Sequence, residues 1–208
     1  MAPPSDVVSV AGIPENELTP RVRDALTSLI AEVQSLREEL TNARAEMTEL
    51  RALAETDPLL DVPNRRAFVR ELDRSLALNE RHNTPASLIF IDLDDLKVLN
   101  DTHGHAAGDA GLKHIARILS DNIRQTDILG RLGGDEFGLI LNQTDYAIAT
   151  QKAEALRAII SEKKMKLDNH EIALKISFGV VPLQNSTSAD DALKAADAEM
   201  YVDKRRDK

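Results

Sequence analysis

The chain has 208 residues, 42% of them hydrophobic, and carries a formal net charge of −9 at pH 7. A chain of this length can bury one good hydrophobic core and leave a segment over for another task. A net acidic surface does not attract a phosphate backbone without a concentrated basic face, so we expect no binding to nucleic acid. A single nucleotide held by local groups is compatible with this charge.

The sequence has no cysteine, which excludes disulfide bonds and thiolate metal sites. Residues 1–12 have neither a basic start nor a long apolar run. We therefore predict no signal peptide and no membrane span, and we expect the protein to be cytoplasmic.

The N-terminal quarter of the chain divides into a lead-in and a helix. Residues 1–19 place prolines among small and polar residues and are predicted to be flexible. Thr19 followed by Pro20 is typical of a helix N-cap and a first helical residue. From there, apolar residues recur at alternating spacings of four and three, which is a heptad pattern. They are Val22, Leu26, Leu29, Val33, Leu36, Leu40, Ala43, Met47, Leu50 and Ala54.

Charged residues flank this apolar seam in a fixed register. With Leu26 at position a, the g residues and the e residues five positions after them are Glu32, Glu39, Glu46, Arg37, Arg44 and Arg51. In a parallel two-stranded coil each of these glutamates faces an arginine of the partner. The alternative is an amphipathic helix packed on its own domain, which has no need of this register. We predict that residues 20–56 form a parallel dimeric coiled coil.

Gly133, Gly134, Asp135, Glu136 and Phe137 stand between two apolar, strand-like runs. In a hairpin, the glycines are expected to supply positive φ angles and to leave room for a phosphate near the backbone. The carboxylates are oxygen ligands suited to a hard cation such as Mg²⁺. On local chemistry alone, an ordinary solvated hairpin is the favoured interpretation.

The residues around this motif predict the elements that carry it. Ser87–Ile91 is predicted to be a buried strand that ends at Asp92, a position suited to a metal ligand. Gly111–Ile123 has helical periodicity, and Asp127–Leu132 with Phe137–Leu141 are the predicted hairpin arms. A further helix is predicted to begin at about Asn64.

Four blocks of the sequence, taken together, resemble the GGDEF family of diguanylate cyclases. They are DPLLDVPNRR, IDLDDLKVLNDTHGHAAGD, RQTD and GGDEF, and the resemblance covers about Asp57 to Lys204. The resemblance implies an α/β (α+β), nucleotide-cyclase-like fold with a ferredoxin-like βααββαβ core and a mainly antiparallel sheet. Residues 57–208 would form this domain, after the coiled-coil helix.

The family's reaction joins two GTP molecules into cyclic di-GMP and releases two pyrophosphates. The resemblance implies that Asp92, the Leu93 carbonyl, Asp135 and Glu136 hold Mg²⁺ or Mn²⁺, with Asp135 and Glu136 as catalytic residues. Asp135 is also a candidate for accepting the 3′-hydroxyl proton. The remaining substrate residues implied by the family are Gly133 and Gly134 beside the ribose and α-phosphate, and Lys97 and Lys204 at the β- and γ-phosphates.

Two further pairs of residues match the family's guanine-binding positions. Asn100 and Asp109 resemble the residues that read the substrate base, although Asp109 could instead cap a helix N-terminus. Arg124 and Asp127 resemble the inhibitory site for cyclic di-GMP, although they could instead form a surface ion pair. Arg157 is the nearest candidate for a second arginine at that site.

The chain departs from the family pattern in three places. Leu60 and Asp61 replace a usual Thr and Gly, which is expected to alter a turn, and Asp95 with Leu96 stand where aromatic residues are common. The C-terminus lacks the usual GRN, so a phosphate-contacting arginine is either missing or replaced by Lys208. His103 and His170 are among the histidines whose spacing does not suggest zinc.

Two other hypotheses compete with an active homodimeric enzyme: a non-catalytic receptor for cyclic di-GMP and a coiled-coil scaffold.

Overall fold

The computed structural model describes residues 9–10, 13–14, 19–168 and 170–206. The chain divides into two compact units, Met1–Ala54 and Glu55–Lys208. Most of the predicted flexible lead-in lies outside the described residues, as does Lys208. The described part of the lead-in contains β1 (Ser9–Val10), which pairs antiparallel with β2 (Ile13–Pro14).

The first unit contains most of a long helix, α1 (Pro20–Glu55). The helix begins where the sequence predicted, and the Val22 backbone N–H donates to Thr19 Oγ1 at 3.4 Å. Large apolar side chains along α1 are exposed, and they include Val22, Leu29, Val33, Leu36, Leu40 and Met47. In the single chain, most of the described seam is therefore open to solvent.

The second unit is built around a four-stranded sheet of order β4-β5-β3-β8, in which all neighbours are antiparallel. Its elements in chain order are α2 (Arg65–His82), β3 (Ala86–Leu93), α3 (Leu96–His103), α4 (His105–Asp121), β4 (Ile128–Arg131), β5 (Glu136–Asn142), α5 (Tyr146–Glu162), β6 (Met165–Leu167), β7 (His170–Ile172), β8 (Ile176–Pro182) and α6 (Ala189–Arg206). The sheet and the helices between its strands have the predicted βααββαβ order. The strands β6 and β7 form a separate hairpin before β8.

The central strand β3 is buried along all eight of its residues. Because successive side chains of a strand point to opposite faces, β3 supplies two cores. Ile89 and Ile91 pack in the core that includes residues of α4 and α5. Leu88 and Phe90 pack in the core that includes residues of α2 and α6. Helices on both faces explain why this strand has a continuous apolar run instead of an alternating one.

Two predicted boundaries differ from the structure. β3 continues to Leu93, so Asp92 lies within the strand and is paired with Glu136 on one side and Ser177 on the other. The helix predicted from Gly111 begins at His105. Gly104, with φ +85°, separates α3 from α4 and lets the second helix begin early. Within the described part of the chain, no helix is long and apolar enough to cross a bilayer.

Candidate functional site

The turn between β4 and β5 brings the predicted acidic residues to the end of β3. The Leu132 N–H donates to the Glu136 carbonyl at 2.8 Å, and the Leu93 N–H donates to the Asp135 carbonyl at 3.0 Å. Asp92 and Glu136 are directly opposite in the β3–β5 register. Opposite residues of an antiparallel pair project to the same face, so these two carboxylates share one face of the sheet.

The two glycines of this turn do not have the backbone conformation that the sequence predicted. Among the described glycines, positive φ occurs at Gly104 and not at Gly133 or Gly134. At Gly133 an added Cβ would displace the Glu136 carboxylate from its present position. At Gly134 an added Cβ would meet nothing within 4 Å among the described atoms. The backbone at Gly134 is therefore open to a ligand.

The carboxylates at this edge repel one another. Burial raises the pKa of Asp92, against the hydrogen bond from Lys204, and the charges of Asp135 and Asp94 raise it further. Burial also raises the pKa of Glu136, and the charges of Asp135 and Asp92 add to that effect. A positive charge bound beside these partly buried carboxylates would therefore be stabilising.

The donor set at this edge is compatible with a divalent cation. Carboxylate and carbonyl oxygens are the ligands that Mg²⁺ prefers. Within the described residues, no three or more acidic or histidine side chains are gathered closely enough to hold a metal ion by themselves. The Lys204 ammonium binds Asp92 and lies 3.7 Å from Asp94. The Lys204 ammonium thus already places a positive charge beside these carboxylates.

The helices α3 and α4 carry the predicted base-reading residues. Asn100 Oδ1 is buried and has no hydrogen-bond partner among the described residues. It lies against Gly108, where an added Cβ would collide with it. Asp109 and Lys97 are exposed. Because α4 begins at His105, Asp109 lies beyond the first helical turn, so it does not cap this helix.

The RxxD residues form a short turn after α4. The Arg124 N–H donates to Asp127 Oδ2 at 3.0 Å, and the Asp127 N–H donates to the Arg124 carbonyl at 3.0 Å. Arg124 is exposed. Asp127 Oδ1 is buried and has no hydrogen-bond partner within the described part of the chain. The turn is therefore held by its own backbone, and the carboxylate contact is made to the Arg124 N–H.

Arg131 holds the glycine turn in place, a role that was not predicted from the sequence. Its guanidinium donates to the Gly133 carbonyl at 3.0 Å and to the Gly134 carbonyl at 2.7 Å. It also donates to both carboxylate oxygens of Asp57, at 3.2 and 3.1 Å. Asp57 opens the first of the four blocks and Arg131 lies in a predicted hairpin arm, but nothing in the sequence indicated that they pair.

Two other contacts were not predicted from the sequence. The rings of His103 and His170 lie with their centroids 6.4 Å apart, although their spacing in the sequence gave no sign of a pair. Arg157, the candidate second arginine of the inhibitory site, forms an ion pair with Asp203 of α6. The structure thus assigns Arg157 to a contact within the fold.

Comparison with known proteins agrees with this arrangement. The family model "Diguanylate cyclase, GGDEF domain" matches residues 54–208. The chain is 31% identical over 187 residues to diguanylate cyclase DosC of Escherichia coli (strain K12), covering 89% of this chain and 39% of DosC. It is 31% identical over 184 residues to diguanylate cyclase DgcP of Pseudomonas aeruginosa, covering 88% of this chain and 27% of DgcP. The chain therefore spans well under half the length of these curated relatives.

Solved structures show the same fold. The coiled coil and GGDEF domain of DgcB from Caulobacter crescentus, in complex with c-di-GMP, matches with a TM-score of 0.78 and 28% identity. That match covers 86% of this chain and 95% of the DgcB chain. Diguanylate cyclase SiaD from Pseudomonas aeruginosa, in complex with its activator SiaC, matches with a TM-score of 0.70 and 28% identity. The SiaD match covers 89% of this chain and 73% of that one.

Proposed function

Since the chain belongs to the GGDEF-domain family of diguanylate cyclases, we propose that it condenses two GTP molecules into cyclic di-GMP and two pyrophosphates. This is a nucleotidyltransferase reaction of bacterial second-messenger signalling. The observation that carries the proposal is that Asp92, Asp135 and Glu136 lie at one end of the sheet, close enough for their charges to interact. Because GTP is a cytoplasmic nucleotide, we place the reaction in the cytoplasm.

We assign the chemistry to this end of the sheet. Asp92, the Leu93 carbonyl, Asp135 and Glu136 would hold Mg²⁺ or Mn²⁺, which when bound neutralises phosphate charge and makes a nearby hydroxyl more acidic. Asp135 accepts the proton of the attacking 3′-hydroxyl. The ribose and α-phosphate approach the open backbone at Gly134.

The remaining phosphates bind to two lysines. Lys97 and Lys204 neutralise the β- and γ-phosphates, which leave as pyrophosphate. The pKa of Lys204 is lowered by burial but raised overall by its hydrogen bond to Asp92 and by the charges of Asp92 and Asp94. Lys204 therefore remains charged at neutral pH.

Incubation with GTP and Mg²⁺ tests the proposal directly. We expect cyclic di-GMP and pyrophosphate, measured by chromatography, and no product in EDTA. Binding of cyclic di-GMP without any turnover of GTP would instead indicate a receptor. A chain that dimerises but neither binds nor turns over these nucleotides would be a scaffold.

We assign the choice of guanine to Asn100 and Asp109. Guanine offers N1–H and N2–H₂ donors on one edge, whereas adenine has an acceptor at N1 and no amino group at position 2. The buried Oδ1 of Asn100, without a partner among the described residues, is an acceptor suited to such a donor. ATP should therefore be a poor substrate, and turnover of ATP comparable with that of GTP would contradict this assignment.

We assign product inhibition to Arg124 and Asp127. Arginine can donate to guanine O6 and N7, and the buried Asp127 Oδ1 can accept from guanine N1 and N2. Cyclic di-GMP should inhibit noncompetitively, and Arg124→Ala should weaken that inhibition while leaving initial rates unchanged. Inhibition of Arg124→Ala as strong as that of the parent would exclude this site.

The enzyme acts as a homodimer in this proposal, because each domain carries one GTP and the reaction needs two. The exposed apolar seam of α1 supports a parallel coiled coil, which raises the effective concentration of one domain beside the other. Exposed ion pairs contribute only about 0.2–1 kcal/mol each, so the seam supplies the stability and the charges select the partner.

Charge reversal tests the coiled coil. Changing Arg37, Arg44 and Arg51 to Glu should weaken the dimer at low salt, measured by analytical ultracentrifugation. A second variant with Glu32, Glu39 and Glu46 changed to Arg should also dimerise weakly. A mixture of the two variants should form heterodimers. A charge-reversed homodimer as stable as the parent at low salt would refute the assignment.

A further inference from the structure

The last turn of α6 is attached to the edge strand β8 through the carboxylate of Asp203. Asp203 Oδ2 accepts a hydrogen bond from the Phe178 backbone N–H at 3.0 Å and also binds the Arg157 guanidinium. β8 is an outer strand of the sheet. A side chain of α6 therefore satisfies a backbone donor of this strand.

Arg157 completes this contact from α5. Its guanidinium carbon lies 4.2 Å from the centroid of the Phe178 ring, and that ring is buried. The side chains of Arg157 and Asp203 are only 25% and 19% exposed. A cation–π contact and a shielded ion pair thus act on the same residues, which makes this contact stronger than a surface ion pair.

The contact lies beyond the point where α6 packs most closely on the sheet. A Cβ added at Gly179 would collide with the Ala196 carbonyl oxygen and the Met200 amide nitrogen. Met200 is buried, and the half-buried residues of α6 after it are Asp203 and Lys204. Helix ends fray unless they are capped or packed, so the order of the last turn depends on these contacts.

Lys204 follows Asp203 directly and reaches the carboxylate end of β3. Its ammonium binds Asp92 and lies 3.7 Å from Asp94. We infer that Asp203, held by Arg157 and the Phe178 N–H, positions Lys204 for the triphosphate of GTP. This inference rests on the proposed function. Because the Asp203 carboxylate is engaged by Arg157 and the Phe178 N–H, its role is that of a positioning residue.

Steady-state kinetics of Asp203→Ala test the inference. Lys204 contacts the triphosphate in both the ground state and the transition state, so its displacement raises KM with little change in kcat. We expect the apparent KM for GTP to rise roughly three- to tenfold. Asp203→Asn keeps an acceptor for the Phe178 N–H and should show a smaller rise.

A matched control comes from the same helix. Lys194→Ala removes the Lys194–Asp190 ion pair, whose side chains are 73% and 71% exposed. We expect this variant to keep the parent's KM. A second comparison uses Lys204→Ala as the background. If Asp203 acts through Lys204, adding Asp203→Ala to that background should raise KM no further.

Three outcomes would overturn the inference. The first is an unchanged KM in Asp203→Ala, and the second is an equal rise of KM in the Lys194→Ala control. The third is a rise of KM on adding Asp203→Ala to Lys204→Ala that equals the rise caused by Asp203→Ala alone. A parent that turns over no GTP refutes the proposed function instead. Affinity for a non-hydrolysable GTP analogue, measured by calorimetry, then tests the inference without turnover. An unchanged dissociation constant in Asp203→Ala and Asp203→Asn would overturn it.

Discussion

The two sides of the Gly133–Glu136 turn carry charge in opposite ways. On one side, Asp57 and Arg131 form a complementary pair whose side chains are 13% and 17% exposed. On the other side, burial and the charges of neighbouring carboxylates raise the pKa values of Asp92 and Glu136. A buried ion pair with matched hydrogen bonds holds the backbone around it in place, whereas carboxylates that repel each other favour the binding of a cation.

The paired side supports the repelling side. Arg131 holds the carbonyls of Gly133 and Gly134, and the Leu93 N–H binds the next carbonyl, that of Asp135. These bonds keep the carboxylates against the end of β3 despite their repulsion. We therefore expect changes on the paired side to alter stability and changes on the repelling side to alter activity.

Asp135→Ala should have the largest effect on activity. It removes a proposed metal ligand and the proposed proton acceptor, so cyclic di-GMP synthesis should fall by about a thousandfold or more. The melting temperature and the dimer should be retained, because the substitution relieves repulsion. Appreciable residual synthesis, measured by chromatography of the product, would remove Asp135 from this role.

Arg131→Ala should have the largest effect on stability. It leaves the Asp57 carboxylate without its guanidinium partner and frees two turn carbonyls, so the free energy of unfolding should fall by about 3 kcal/mol. Urea denaturation measures this change. Arg74→Ala, at a side chain that is 73% exposed, is the matched control and should change stability by less than about 0.5 kcal/mol. Equal losses in the two variants would refute the distinction between the two sides.

The raised carboxyl pKa values predict a smaller effect of pH on stability. Between its unfolded and folded pKa values, Glu136 binds more protons in the folded state, so stability falls as pH rises through that window. In EDTA, Glu136→Gln should therefore lose less melting temperature than the parent as pH rises from 4 to 7. Identical slopes for the two proteins would show that the pKa of Glu136 is not raised in the folded state.

Local patterns in the sequence predicted much of this fold. The run Ser87–Ile91 is continuously apolar because helices cover both faces of the central strand, and this run predicted the strand. Thr19, as an N-cap, predicted the start of α1. The boundary between α3 and α4 was not predicted, because the helix-ending conformation of Gly104 lies inside a block of helix-compatible residues.

The sequence predicted which residues belong to the candidate site better than it predicted the contacts that hold them. The Asp57–Arg131 pair joins residues 74 positions apart, and the Arg157–Asp203 pair joins residues 46 positions apart. Composition and spacing cannot reveal such pairs, because they depend on how the strands and helices pack. The prediction of positive φ at Gly133 was wrong for a similar reason: adjacent glycines suggest positive φ, but the Glu136 carboxylate lies against Gly133 only in the folded hairpin.

Asp61 offers the smallest test, on the paired side of the turn. It adopts φ +54° beside Asp57, whose Oδ1 accepts from the backbone of Leu59 and Leu60 at 3.0 and 3.1 Å. Glycine adopts this conformation without a Cβ clash, so Asp61→Gly should stabilise the fold by about 0.5 kcal/mol, and Asp61→Ala should destabilise it. Asn83→Gly, at a second left-handed residue with φ +50°, is the matched control and should give a similar gain. Thermal melts measure both, and cyclic di-GMP synthesis per folded molecule should stay unchanged in Asp61→Gly. A gain in stability accompanied by a loss of synthesis would show that the two sides of the turn are not separable.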